Sequence, residues 1–453
     1  MRSSRPAIIR DVINRRELLS GAAAVISVSA LSDLSLAQDS KVIPSLRINP
    51  TRLQQNLEAL SVYGRPAGGT FADGVSRVAY SDADIAGRKY AMDLMREAEL
   101  EPRVDAGGNI FGRRLGSEAS LKPILFGSHI DSVPNGGNFD GDLGSLSAIE
   151  IVRTLKERGV MTRHPLEVVI WANEEGGTMG SRAAFGDLKP EDLDRKRNGI
   201  SLADGIRRIG GDPSRLSDSR ISPGWFHCYL ELHIEQGGNL DKAGIPIGVV
   251  EGIVSIDEYD VEIRGFANHA GTTPMPERHN ALLAAAKLIE VVQEVVTREP
   301  GRQVGTVGRL EVSPNARNVV PGLVKHSVEL RDLSSEKIAR LGEEIQKRAQ
   351  EIARDTKTEI VMTKIEHDDA AIATPAIQSQ IEAAAGVLGL KTMRLPSGAG
   401  HDAQVMAKLG PMGMIFIPSV NGISHSPKEL SHWPDCANGA NVLMETILRM
   451  DRA

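Results

Sequence analysis

The chain is predicted to be an α/β protein with a smaller α+β domain inserted into it. Short apolar runs (Pro123–Phe126, Leu166–Ala172 and Met414–Pro418) alternate with amphipathic helical stretches, the pattern of a largely parallel sheet covered by helices. From about residue 255 the pattern changes to strand, helix, two strands, helix and strand, the order of a small antiparallel sheet backed by two helices. After about residue 369 the first pattern returns. The expected layout is therefore a catalytic domain in two parts, 45–254 and 369–453, with an inserted lid-like domain over 255–368.

Pro50-Thr51 ahead of Leu53, Leu57 and Leu60 starts an amphipathic helix, and Ser81 to Asp84 caps a second that runs to about Glu99. Gly107-Gly108-Asn109 is a turn before a strand at Ile110 and Phe111. Pro123–Phe126 reads as a buried strand that delivers His129 at its C-terminal end, where open α/β sheets build their sites. A helix over Leu143–Leu155 lies behind it, and the strand Leu166–Ala172 ends in Asn173-Glu174-Glu175-Gly176-Gly177. Residues 187–224 are polar and broken by Gly and Pro, hence surface helices and loops. Trp225–Ile234 fits a strand or a helix and ends in His233-Ile234-Glu235-Gln236-Gly237.

In the inserted part, Val254–Arg264 alternates like a half-buried strand, and Asn280–Arg298 is a strongly amphipathic helix. Strands are expected at Val304–Val312, Val324–Leu330 and Glu359–Lys364, with a helix over Ser335–Arg354. A helix at Ile377–Leu388 and a strand from Met414 complete the chain's readable pattern.

Composition excludes several classes. The chain has 453 residues, 41% hydrophobic and 25% charged, which is ordinary for a globular protein of two or three domains. A net charge of −6 gives no nucleic-acid footprint. Two cysteines, Cys228 and Cys436, imply neither a disulfide framework nor a thiolate metal site. Residues 1–37 read as a twin-arginine-type signal peptide: Arg15-Arg16, leucines, an uncharged run from Ser20 to Ser32, then Leu34 to Ala37. That run is too short to span a bilayer, so the expectation is export to the periplasm or medium, without stable membrane insertion after cleavage.

The candidate chemistry starts at Gly127–Gly141, GSHIDSVPNGGNFDG. His129 offers an imidazole, Asp140 lies across a loop rich in Gly and Asn, and Asp131 is placed to orient the His129 ring. Glu174-Glu175, His233 and His425 each follow or end another apolar run. Imidazole plus carboxylate without thiolate suits Zn²⁺, and also Mn²⁺, Co²⁺ or Ni²⁺. One shared carboxylate is a common way to hold two ions roughly 3.5–4 Å apart.

Eight motifs in order (GSHIDSVPNGGNFDG, NEEG, ELHIEQG, ANHAGTTPM, PNARNVVPG, LRD, SGAGHDAQ and SHSPKE) resemble the amidase, hydantoinase and carbamoylase family of dinuclear zinc hydrolases. These are relatives of the aminoacylase-type metallopeptidases, and the resemblance covers about residues 45–450. It implies a metallopeptidase-like catalytic domain with a ferredoxin-like lid and dimerisation domain. It also implies two divalent metal ions per chain, zinc foremost. His129 and His233 would bind one ion, Glu175 and His425 the other, and Asp140 both. Glu174 would be the general base, and Asp131 the partner of His129. His269 would stabilise the oxyanion. Asn318 and Arg331 would hold the substrate's carboxylate or ureido end, often across a homodimer interface. Gln236 and the backbone at Gly398 and Ala399 would complete the pocket, with His401-Asp402 as structural support.

The implied activity is hydrolysis of a linear amide or ureido C–N bond, most of all in N-carbamoyl-L-amino acids. The alternatives are an allantoate-type amidohydrolase, a dipeptidase-like peptidase, or an inactive binding protein of the same fold. One departure stands out. Family members often place an Arg-Phe pair and further residues between Glu-Glu-Gly and Met-Gly-Ser, whereas here Gly177-Thr178 alone separate Gly176 from Met179.

Overall fold

The computed structural model describes residues 46–197 and 199–453; the signal peptide expected over 1–37 lies outside them. Two separate sheets organise the described residues. The larger has nine strands, and its centre is four parallel ones in the order Leu166–Trp171, Ile124–His129, Cys228–Ile234 and Met412–Ile417. Ile110–Arg114 and Glu101–Val104 extend it antiparallel on one side. On the other side lies Ile247–Ile253, joined by Thr392–Ser397 and Ala371–Ile372.

The central runs are continuously apolar because both faces are covered. Alternate side chains serve opposite cores: Ile124, Phe126, Val168, Ile170, Leu230 and Ile415 join one, and Leu125, Val169, Trp171, Tyr229, Met414 and Phe416 the other. Helices Pro50–Leu60, Asp142–Glu157 and Trp433–Met450 pack on the first face, and Met179–Phe185 and Asp402–Met406 contribute to the second. The first of these helices starts with Asn49 as cap, its side chain accepting from the Arg52 amide, and with Pro50 at the first position. The stretch predicted as strand or helix before His233 is a strand, fully buried from Cys228 to Ile234.

The second sheet has five antiparallel strands. Val304–Thr306, Leu323–Asp332, Ser255–Arg264 and Glu359–Asp368 lie in that order, and Leu310–Ser313 also pairs with Leu323–Asp332. Helices Ala281–Thr297 and Ser335–Thr356 cover one face, with a core of its own built from Val261, Ile263, Val324 and Val328 against Leu288, Val292, Leu341 and Ile345. The strand expected over Val304–Val312 is in fact two, because residues 307–309 leave the ladder between Thr306 opposite Glu329 and Leu310 opposite His326.

Register fixes which end of this sheet meets the large one. Arg331 lies opposite Ile256, next to the crossing from Ile253 to Ser255, whereas Leu323 lies opposite Arg264 at the far end. No helix among the described residues is long and apolar enough to cross a membrane.

Candidate metal centre

The four parallel strands finish on one edge of the large sheet, and each brings a polar segment there. His129 ends its own strand and His233 is next to last in another. Glu174 and Glu175 come after Trp171, and the chain beyond Ile417 leads to His425. Asp140 comes from the loop between His129 and the helix Asp142–Glu157. Gly141 makes that approach possible: its φ is +66°, and a Cβ there would sit 2.4 Å from the His129 ring.

The five predicted ligands converge. The His129 and His233 Nε2 atoms lie 3.4 and 3.1 Å from Asp140 Oδ1. The His425 Nε2 lies 3.4 Å from Asp140 Oδ2 and 3.5 Å from Glu175 Oε1. The two oxygens of one carboxylate therefore face two different ligand sets, His129–His233 and Glu175–His425. Donors each about 2.0–2.1 Å from a tetrahedral ion are separated by roughly 3.3–3.4 Å, so the spacing fits two divalent ions sharing Asp140. Glu174, with Oε2 3.7 Å from His129 Nε2, belongs to neither cluster.

Charges are tightly coupled here. Burial opposes the ionisation of Asp140, but the imidazoles of His233, His129 and His425 outweigh it and hold its carboxyl well below the usual range. Burial disfavours charge on His129, yet Glu174, Asp140 and Asp131 raise it well above an ordinary imidazole. His233 is raised as well, Asp140 overcoming its burial. His425 is pushed up to about 9, first by its hydrogen bond to Asp140 and then by the charge of Glu175. Burial, reinforced by Asp402, Glu175 and Asp140, lifts Glu174 well above a normal carboxylate, against the pull of His129. Burial and the Asp140 charge push Glu175 up to about 7.

The supporting residues differ in part from expectation. The Nδ1 of His129 is held at 3.0 Å by the main-chain carbonyl of Asp131, whose carboxylate is 3.9 Å away. That carboxylate instead accepts from the amides of Glu174, 3.1 Å, and Glu175, 3.2 Å. Asp131 thus orients the His129 ring through its backbone and the Glu-Glu turn through its side chain. The Nδ1 of His233 is fixed by the carbonyl of Ile234 at 2.9 Å. Gln236, expected at the substrate, donates to Asp140 Oδ2 at 2.7 Å. His401 packs edge-on to His233, ring centroids 4.5 Å apart, and its Nε2 pairs with Ser397 Oγ at 2.9 Å. Asp402 accepts from Ser181 Oγ at 2.5 Å.

Sequence reasoning gives no role to Glu429, Ser424 or Glu231. The Glu429 carboxylate accepts from the amides of Phe139 and Asp140, and Ser424 Oγ lies between Glu429 and Asp140. Glu231 is fully buried behind His233, accepting from Ser128 and Tyr229. Its one sequence signal is a charged residue inside an otherwise apolar strand.

The remaining predicted residues do not gather at the ligands. His269 and Asn318 are neighbours, because His269 pairs with Val319 and Ala270 donates to the Asn318 carbonyl. Both are exposed, and the His269 Nδ1 accepts locally from the Gly271 amide at 3.0 Å. They lie beyond the Leu323 end of the smaller sheet. Arg331 is at the opposite end. It makes paired bonds to Glu329, 2.8 and 2.9 Å, and its Nη1 donates to the carbonyl of Gly398 at 2.5 Å, beside Ala399. Eight residues separate Leu323 from Arg331 along one strand, roughly 26 Å.

The family model described as peptidase family M20/M25/M40 matches residues 125–449. An N-carbamoyl-L-amino acid amidohydrolase of Geobacillus stearothermophilus is 41% identical over 409 residues, 89% of this chain and 99% of that protein. An allantoate amidohydrolase of Escherichia coli (strain K12) is 33% identical over 402 residues, 86% of this chain and 95% of that protein. The solved structure of an amidase of the hydantoinase/carbamoylase family from Burkholderia multivorans superposes with a TM-score of 0.83 at 34% identity, covering 90% of this chain and 100% of that one.

Proposed function

The chain belongs to peptidase family M20/M25/M40 and, within it, to the hydantoinase/carbamoylase amidases, and on that premise we propose that it hydrolyses the C–N bond of a linear ureido acid, N-carbamoyl-L-amino acids being the favoured class. The observation that carries the chemistry is the division of Asp140, one oxygen toward His129 and His233 and the other toward His425. His129 and His233 would hold one divalent ion and Glu175 and His425 a second. Bound there, the ions supply an electrophile for the ureido carbonyl and an acidified water.

The residues of the chain do the rest. Glu174 lies outside both ligand clusters, and burial raises its carboxyl well above an ordinary carboxylate, the direction that makes it a stronger base. It takes a proton as water adds to the carbonyl carbon and returns it to the leaving nitrogen as the C–N bond breaks. Arg331 binds the substrate carboxylate beside Gly398 and Ala399, its planar fork suited to a group that does not react. His269 donates to the oxyanion, and Asn318, held next to it, contacts the ureido end.

His269 and Arg331 lie at opposite ends of the smaller sheet, so one copy of that sheet does not bring both to one small substrate. A homodimer through the inserted segment accounts for this: Arg331, bonded to Gly398 in the segment that leads through Ser397 and His401 to His233, serves its own chain's ligand cluster, and the partner supplies His269 and Asn318. An allantoate-type activity is the second reading, favoured by the Escherichia coli relative.

Metal-loaded protein should be assayed against N-carbamoyl-L-amino acids, allantoate and dipeptides, with the Glu174→Gln variant alongside. The carbamoyl acids should turn over fastest, and Glu174→Gln should keep its metal while losing on the order of 10²–10⁴ in kcat. Preferred cleavage of dipeptides would replace the ureido assignment. Metal-replete wild type that turns over none of the three would point to a binding protein.

A further inference from the structure

We propose that Glu429 is the positioning residue that aims the shared carboxylate of Asp140 and ties the His425 loop to it, so that it governs binding of the second ion and not the first. The proposal rests on the two-ion reading above. Glu429 is buried, and its carboxylate belongs to neither ligand cluster. Its bonds go instead to the two segments that carry ligands. Oε1 accepts from the amide of Phe139 at 2.9 Å and from that of Asp140 at 3.1 Å. Oε2 accepts from Ser424 Oγ at 2.8 Å, and the same hydroxyl lies 3.1 Å from Asp140 Oδ2. One side chain thus holds the backbone of Asp140 and shares the single Ser424 hydroxyl proton with the oxygen that faces His425.

The Asp140 loop is moulded around this carboxylate. A Cβ on Gly137 would fall 2.1 Å from Glu429 Oε1, so the loop passes too close for any larger residue. The two halves of the centre depend on it unequally. The His129 and His233 side chains are 1% exposed, and each ring is fixed by a main-chain carbonyl. His425 is 50% exposed and sits in a loop at φ +52°. Without Glu429, Ser424 and the Asp140 amide lose a shared anchor. The loss falls on Oδ2, the oxygen belonging to the His425 side, while the buried imidazole pair keeps its own supports.

The test is Mn²⁺ titration of the metal-free chain, followed by electron paramagnetic resonance for magnetic coupling between adjacent ions. Wild type should bind two equivalents and show a coupled spectrum. Glu429→Ala should keep one equivalent, bind the second roughly 10–100-fold more weakly, and show an isolated ion. Glu429→Gln keeps an acceptor for the two amides and a partner for Ser424, and should restore most of the coupling. Ser424→Ala leaves the amide bonds of Glu429 intact and should weaken only the second ion, which decides the matter if Glu429→Ala fails to fold. Two ions at wild-type affinity and full coupling in folded Glu429→Ala, or in Ser424→Ala if the former is unfolded, would overturn the proposal. So would loss of both ions from a folded variant. A wild-type chain that takes up a single ion would defeat the two-ion reading and this proposal with it, whereas coupling in wild type and variants alike defeats the proposal alone.

Discussion

Asp140 is surrounded by three imidazoles whose proton affinity its negative charge increases. An ion binds the neutral imidazole and the ionised carboxylate, so metal uptake must displace protons. The direction of each shift sets the sign. His129 and His233 are raised, His425 at about 9 holds a proton at neutral pH in the metal-free chain, Glu175 at about 7 is partly protonated, and Asp140 is held well below the usual carboxylate range. Protons should therefore be released on binding at pH 7, from His425 and in part from Glu175, and affinity should climb as the pH rises through about 7 and on through about 9. Calorimetric titration with Mn²⁺ in two buffers of different ionisation enthalpy counts those protons directly. A count of zero at pH 7 would contradict the assignment of imidazoles as ligands.

At the scale of the element, the centre is made where strands end and loops begin. The tightest such junction is Gly141, where a loop becomes the helix Asp142–Glu157 while passing against the His129 ring. Gly141→Ala demands both a left-handed backbone at a residue with a Cβ and a displaced imidazole. The backbone strain alone costs about 1–3 kcal/mol. The variant should lower the urea midpoint of the metal-free protein and weaken its first metal equivalent. An unchanged midpoint together with unchanged affinity would mean that the loop yields without strain. The same junctions explain what sequence reading captures. His129, Glu174 and His233 each adjoin a run whose apolar character marks a buried strand, so ligand and delivery are read together. Ile247–Ile253 escapes such a reading because it leads almost directly into the alternating strand Ser255–Arg264, with no turn signal to part the two.

At the scale of the molecule, the smaller sheet carries Arg331 at its near end and His269 with Asn318 beyond its far end. Complementation distinguishes a shared site from closure within one chain. His269→Ala and Arg331→Ala chains should each be nearly inactive as homodimers. In a mixed dimer, the site built on the His269→Ala chain keeps its own Arg331 and receives an intact His269 from its partner. Random exchange then restores about a quarter of wild-type sites, since about half the dimers are mixed and each has one whole site. Closure within a single chain restores none, because neither chain holds both residues. Activity after denaturation and refolding of the mixture, compared with each variant alone, reads the difference.

By itself the sequence determined the class of fold and singled out His129, Asp140, Glu174, Glu175, His233 and His425. The first rests on local pattern, continuous apolar runs for the central strands and alternation for the half-buried ones; the second rests on ligand types at the ends of those runs together with the motifs' resemblance to the family. The tertiary structure alone decided how those side chains divide the work. Phe139 and Glu429 are 290 positions apart, so nothing near either one announces their bond. Asp131 stands two residues from His129, a spacing that suggests a ring partner, but the fold turns its carboxylate to the amides of Glu174 and Glu175, more than forty positions away. The motifs' resemblance places Arg331 and His269 in one substrate site, but Arg331 lies near one end of a ten-residue strand and His269 beyond the other. In each case the deciding contact joins residues distant in sequence, and the packing of the sheets sets which of them meet.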